Sequence, residues 1–304
     1  MMTALSVSGL SKSFGDNRVL DGISFDVPAG SVFGFIGANG AGKTTTMKII
    51  LGLLMSDGGE IRVFDERVSF GASSTNRHVG YLPDVPEFYG YMRPKEYLRL
   101  CGGVTGLDKD ETDSRAAKLL ATVGLDGVNK RISAFSRGMK QRLGMAQALL
   151  NEPRLLICDE PTSALDPSGR KDILDILSSI KGRTTVVFST HILGDVERIC
   201  DRVAVLSGGK IALSGTLAEL RSKNRPESIH VEFASEADKE RFLAAAGDLR
   251  ENAESAGAEI TLRIADMAYT RRKLLGVLSE NDILPLKMTV LEPTVESLFL
   301  EVTR

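Results

Sequence analysis

Apolar and polar positions change their period along this chain, and the changes mark its parts. Four short runs, "SVFGFIG" (31–37), "RLLICDE" (154–160), "TTVVFSTH" (184–191) and "RVAVLSG" (202–208), are apolar or β-branched at successive positions. Helical patterns lie between them, which predicts a largely parallel sheet covered on both faces. Ahead of the first run, "LSVSGLSKSF" and "ISFDVPAG" read as antiparallel strands joined by a turn. Residues from about 88 to 150 are mostly helical in pattern and inserted relative to the sheet. The alternation restarts near Pro226, where "SIHVEF" (228–233), "DKERFLAAAG" (238–247), "EITLRIAD" (259–266), "RRKLLGVLSEND" (271–282), "LKMTVLE" (286–292) and "TVESLFLEV" (294–302) alternate strand and helix. The expected organisation is an α/β domain over 1–220, with an antiparallel β subdomain and a helical subdomain at about 88–150. A small α+β domain, 228–304, follows across the polar stretch "RSKNRPES".

Composition narrows the function without naming it. The 304 residues suffice for one large and one small domain, and 42% hydrophobic with 26% charged residues is ordinary globular content. A formal net charge of −2 gives no footprint for nucleic acid or for an anionic membrane surface. No apolar run approaches the roughly 20 residues needed to cross a bilayer. The start, "MMTALSVSGLSKSFGD", carries no apolar signal core, so the chain is expected to remain in the cytosol. Cys101, Cys158 and Cys200 lack paired or metal-like spacing and are read as free thiols. Three histidines in the whole chain argue against a zinc site.

The chemistry begins at "GANGAGKTT" (37–45), a full G-x-x-x-x-G-K-[ST] match. The strand "VFGFI" runs into it and the amphipathic "TTTMKIILGLL" runs out, the context a phosphate-binding loop needs. Gly37, Ala38, Asn39, Gly40, Ala41 and Gly42 would wrap backbone N–H groups around phosphates, with Lys43, Thr44 and Thr45 opening the helix. Lys43 would bridge the β- and γ-phosphates, and the Thr44 hydroxyl would ligate magnesium. "LLICDEP" (155–161) ends a buried strand in two carboxylates: Asp159 to hold magnesium, Glu160 to orient and polarise the attacking water. His191, at the end of "TTVVFSTH", would place an imidazole on the γ-phosphate.

In order, these motifs resemble the ATP-binding subunits of ABC transporters, over about residues 3 to 220. Phe14 in "LSKSFGD" matches the aromatic that stacks on adenine, where that family more often has Tyr. The P-loop, the "DEP" strand, "SALD" (163–166) and "STH" (189–191) match in order and spacing. The resemblance implies a P-loop ATPase core that binds ATP and Mg2+ and works as a dimer of two copies. It implies that Asp166 couples two ATP sites, and that a signature segment on one subunit caps the nucleotide of the other. Two stretches compete for that role, "FSRGMKQRLGMAQALL" and "LSGGKIALSG". The signature must open a helix, and only the first does: Ser136 stands where an N-cap would, with Leu143, Ala146, Gln147 and Leu150 at helical spacing. The second falls between "RVAVL" and "KIAL", so Gly208-Gly209 reads as a hairpin turn. Ser136 and Gly138 are therefore the expected phosphate cap.

Two positions depart from the family pattern. Arg137 replaces the usual first Gly of the signature, as in ATPases of bacterial ABC-2-type exporters; it is read either as a solvated charge or as a dimer-interface residue. Asp84, after "HVGYLP", stands where the family usually has Gln at the magnesium, and its role there is either water-mediated or weakened. The aromatic segment "VPEFYGYMRPKEYLRL" (85–100) either covers the helical subdomain's own core or forms the groove that receives a helix of a membrane subunit. The reading is an ATP-hydrolysing subunit of an ABC-2-type exporter, peripheral on the cytoplasmic face of the cell membrane, partnered by a second copy and an integral membrane permease, with no nucleic-acid partner. A soluble or regulatory ABC ATPase uncoupled from transport is the alternative. "RRK" (271–273) is read as a solvated helix face.

Overall fold

In the computed structural model, residues 2–71, 74–163, 165–223, 228–264 and 266–291 are described. They form two compact units that divide after Leu217. The segment "TVESLFLEV", expected to continue the C-terminal alternation, lies outside the described residues, as does most of the polar stretch before Ser228. The first residues of that stretch, to Lys223, end a helix instead, α7 (Leu217–Lys223) below.

The first unit opens with two long antiparallel strands, β1 (Thr3–Phe14) and β2 (Asn17–Pro28). Then come β3 (Val32–Gly37), α1 (Lys43–Ile50), β4 (Gly58–Val63), β5 (Glu66–Arg67) and β6 (Val79–Leu82). The helical part holds α2 (Pro94–Val104), α3 (Lys109–Thr122) and α4 (Arg137–Leu149). The chain returns to the sheet with β7 (Leu155–Asp159), α5 (Pro167–Ser179), β8 (Thr185–Thr190), α6 (Leu193–Ile199), β9 (Arg202–Ser207) and β10 (Lys210–Thr216); α7 begins at the division, and all of it but Leu217 belongs to the second unit.

Two sheets result: a four-stranded one, β2-β1-β4-β5, and a six-stranded one, β10-β9-β3-β8-β7-β6. In the second, β9, β3, β8, β7 and β6 are parallel and β10 is antiparallel at the edge. Every residue of β3, β7 and β8 is buried, which accounts for their unbroken apolar runs. The sheets share one core, with Phe25 of β2 stacked 5.6 Å from Phe33 and 5.2 Å from Phe35 of β3. Strand β4 carries only Ile61 and Val63 buried, and its first residues are glycines. Gly59 is required there: at φ +88 a Cβ would stand 2.6 Å from the Gly9 carbonyl of β1. With so weak an apolar signal, β4 and β5 have no counterpart in the sequence pattern.

The second unit is an antiparallel sheet, β12-β13-β11-β14, with two helices. Its elements are β11 (Ser228–Phe233), α8 (Glu236–Ala245), β12 (Ala253–Ala256), β13 (Glu259–Arg263), α9 (Met267–Glu280) and β14 (Pro285–Leu291). Ile229, Val231 and Phe233 alternate inward on β11 and pack on Phe242, Leu274 and Leu278 of the helices. Of the expected solvated "RRK" face, Lys273 is paired with Asp248 and lies 5.6 Å from the Tyr269 ring centroid. Arg271 and Arg272 are exposed, and the Lys273 pair lies at the surface, so this face is solvated as expected.

Candidate active site

Parallel register brings the carboxyl ends of four strands, β3, β7, β8 and β9, to one edge of the six-stranded sheet. Ile36 pairs with Thr190, Gly37 with Leu206, and Asp159 with Ser189. Ligands of open α/β sheets bind at this carboxyl edge. The loop leaving β3 keeps Ala38, Asn39 and Gly40 exposed and turns through φ +81 at Gly40 and +109 at Gly42. At Gly42 a Cβ would also strike Leu20 Cδ2 at 2.8 Å, so no other residue fits between the loop and β2. The first helix starts at once with Lys43, and its free N–H groups and dipole favour an anion.

Lys43 is 5% exposed, and its Nζ donates to the carbonyls of Gly37 (2.7 Å) and Ala38 (3.2 Å). The same Nζ stands 3.0 Å from Glu160 Oε1. The other carboxylate oxygen of Glu160 lies 2.9 Å from His191 Nδ1. Glu160 adopts φ +48, a left-handed backbone that costs a Glu on the order of 1 kcal/mol. Its N–H donates to Ser189 O (3.2 Å) and Ser189 Oγ (3.0 Å). Ser189 Oγ donates in turn to Asp159 Oδ1 at 2.6 Å, and Asp159 is 3% exposed. One serine thus braces both acidic residues; the sequence reading quoted it within "STH" but gave it no role. Tyr81 lies behind this pair, its phenol pushed up to about 12 by burial and by the Asp159 charge, so it stays neutral.

Thr44 is exposed in the first turn of α1. Among the described residues no three His, Cys, Asp or Glu converge as a metal site. A divalent cation here would take Asp159 and Thr44 from the chain and the remaining oxygens from water and phosphate. That donor set suits magnesium, which keeps waters and uses few carboxylates. Phe14, at the end of β1, is 50% exposed with Lys12 Nζ 5.4 Å from its ring centroid, and Asp57 holds that Lys at 2.7 Å.

The remaining expected residues sit on other elements. Ser136 caps α4, its Oγ accepting from Met139 N at 3.2 Å. Gly138 follows in the first turn, where a Cβ would meet only Leu165 Cδ2 at 3.9 Å. Asp166 caps α5, accepting from Gly169 N at 3.2 Å. No hydrogen bond or ion pair among the described residues joins Ser136, Gly138 or Asp166 to the loop 37–45. The rival "LSGGK" is a two-residue hairpin: Gly208 and Gly209, at φ +54 and +75, join β9 to β10. Asp84, read as a metal-side residue, accepts a 2.5 Å hydrogen bond from Ser163 Oγ and lies 3.7 Å from Arg137 Nη2. Arg137, half-exposed, is therefore ion-paired within its own chain, an arrangement that neither sequence reading of it included.

One buried network was missed. Asp195 of α6, 1% exposed, accepts from Thr162 Oγ1 at 2.6 Å and from Arg170 Nε of α5 at 2.5 Å. It ties the turn after Glu160 to both helices, and its single letter in "HILGDVERIC" carries no local signal. Asp195→Ala should destabilise the chain by about 2 kcal/mol, a value reduced because Arg170 is a third exposed. Thermal unfolding should record this as a lowered Tm.

Part of the aromatic segment packs within the helical part, as one of its two readings expects. Phe88 packs edge-on against Tyr97 at 5.0 Å, and Tyr97 donates to Gln147 Oε1 at 3.0 Å. Tyr89 and Tyr91 stay outside, 55% and 67% exposed. Beside them a groove of about 430 Å³ is lined by Val85, Pro86, Phe88, Ile132, Arg137 and Lys140 among others.

A phosphate-type loop, a Lys–Glu–His cluster and a separate capped helix on a parallel sheet with an antiparallel flank define a P-loop ATPase. The family described as ABC transporter matches residues 20–163. ABC transporter ATP-binding protein YxlF of Bacillus subtilis (strain 168) is 41% identical over 222 residues, 73% of this chain and 74% of that protein. The bacitracin transport ATP-binding protein BcrA of Bacillus licheniformis is 32% identical over 99% of this chain and 97% of its own length. The linearmycin resistance ATP-binding protein LnrL of Bacillus subtilis (strain 168) is 32% identical over 98% of both. A solved ATP-binding subunit of an ABC transporter superposes with a TM-score of 0.66 at 35% identity, over 72% of this chain and 92% of that one. The chain belongs to the ATP-binding proteins of ABC transporters, and its activity is that of the family, ATP hydrolysis that powers transport. Among the described residues no helix is long and apolar enough to cross a membrane.

Proposed function

We propose that this chain is the ATPase subunit of an ABC-2-type exporter, in which two copies close on two ATP molecules head to tail. The observation that carries the reading is the single cluster of Lys43, Glu160 and His191, with both Glu160 contacts within 3.0 Å. In this mechanism the 37–45 loop binds the phosphates, and Lys43 turns from Glu160 to the β- and γ-phosphates. Glu160 then orients and polarises the attacking water, while His191 contacts the γ-phosphate and holds Glu160 in place. Phe14 offers its exposed ring to adenine. Ser136 and Gly138 of one copy cap the nucleotide bound by the other, and Asp166 carries the state of one site to its neighbour. Magnesium held by Thr44 and Asp159 would neutralise phosphate charge. Asp84 is engaged by Ser163 and Arg137, so a metal contact there would be indirect.

Export is supported by the near-complete overlap with BcrA and LnrL, which extends through the C-terminal unit. Residues 1–220 are the ATPase domain on this reading and 228–304 an accessory domain. Transport requires a permease in the cell membrane, and this subunit would sit on that membrane's cytoplasmic face. The exposed Tyr89 and Tyr91 beside the 430 Å³ groove are suited to receive a permease helix. Replacing both tyrosines by Ser should abolish co-purification with the permease and leave ATP turnover of the isolated subunit unchanged. Undiminished co-purification would remove the groove from the account.

A further inference from the structure

The two places where the sequence leaves the family pattern lie against each other. Arg137 Nη2 is 3.7 Å from Asp84 Oδ1, the oxygen that also accepts from Ser163 Oγ at 2.5 Å. Ser163 donates its N–H to the Glu160 carbonyl at 3.1 Å. A polar chain therefore runs from the first residue of α4, through the loop after β6, to the turn that carries Glu160.

Two charge arguments give this contact a purpose. A cation at the first position of a helix opposes the macrodipole, and α4 has no acidic residue in its first turn. Asp84 supplies that negative charge from outside the helix. Conversely, a carboxylate at 84 is linked through Ser163 to the turn that bears Glu160, and Arg137 is its cation partner. A neutral amide at 84 would gain little from a cation at 137, so each departure makes sense of the other.

We infer that Arg137 is a positioning residue whose ion pair with Asp84 fixes the start of α4, and with it Ser136 and Gly138, relative to the turn bearing Glu160. The inference rests on the reading of Ser136 and Gly138 as the phosphate cap. Both partners are about half-exposed, so the pair is weak and can reopen as nucleotide binds and leaves.

The test is a double-mutant cycle of Arg137→Gln and Asp84→Asn in the Glu160→Gln background, with Arg137→Lys as the conservative control. ATP-dependent self-association and ADP binding are measured for each. Either single change should weaken self-association by about two- to fivefold, the range for a half-exposed ion pair. The double variant should be no weaker than the worse single, Arg137→Lys should stay near the parent, and ADP affinity should be unchanged. With Glu160 restored, Arg137→Gln should raise the KM for ATP by a larger factor than it lowers kcat. Losses that multiply in the double variant, or an Arg137→Gln chain that associates like its parent, would overturn the proposal. Failure of the cap reading is a separate result, seen if Gly138→Asp associates normally.

Discussion

Gly138→Asp should cut ATP turnover at least a hundredfold while the chain folds and binds ADP as before. The structure separates the two effects. A Cβ at Gly138 meets only Leu165 Cδ2 at 3.9 Å, so a larger side chain has room in the isolated subunit. Ser136 still caps α4, and the backbone before and after is helical or extended and open to any residue. On the proposed mechanism the damage comes when a second copy closes. There the first turn of α4 would approach a triphosphate with its N–H groups, and an added carboxylate would bring both bulk and like charge. Loss of one such donor set from a transition state costs on the order of a hundred- to a thousandfold. Steady-state turnover, with calorimetric ADP binding as the control for the intact loop, checks it. Wild-type turnover would place the cap elsewhere.

Glu160→Gln should lower turnover by a similar or larger factor, about 10²–10⁴, without weakening nucleotide binding. Glu160 meets Lys43 at 3.0 Å on one oxygen and His191 at 2.9 Å on the other. A triphosphate arriving at the loop must therefore displace a carboxylate from the lysine it needs. The amide keeps the shape of the side chain and its left-handed backbone but releases that ion pair, so Lys43 is freer to meet phosphate. ADP, which is not hydrolysed further, isolates this effect: its affinity for the variant should equal or exceed that for the parent. Single-turnover hydrolysis and ADP titration measure the two halves separately.

What could be read in advance follows from how locally each feature is written. The 37–45 loop is legible because glycine, lysine and threonine must occur at fixed spacing between a strand and a helix. Strands β3, β7 and β8 are legible because burial on both faces leaves an unbroken apolar run. The choice of "FSRGMK" over "LSGGK" was also local, since one opens a helix and the other joins two strands. Contacts set by tertiary register were not legible. Ser189 reaches Asp159 only because β7 and β8 align those two residues. Asp195 meets Thr162 across 33 residues of chain, and Arg137 finds Asp84 across the β6 loop. None of these pairings leaves a trace in periodicity or spacing.

The central claim is that the nucleotide site is completed by a second copy, and Glu160→Gln offers its most direct test. Sedimentation velocity should find that variant monomeric without nucleotide and dimeric with ATP and magnesium, with two ATP molecules retained per dimer. A variant that binds ATP yet remains monomeric at saturation would contradict the account.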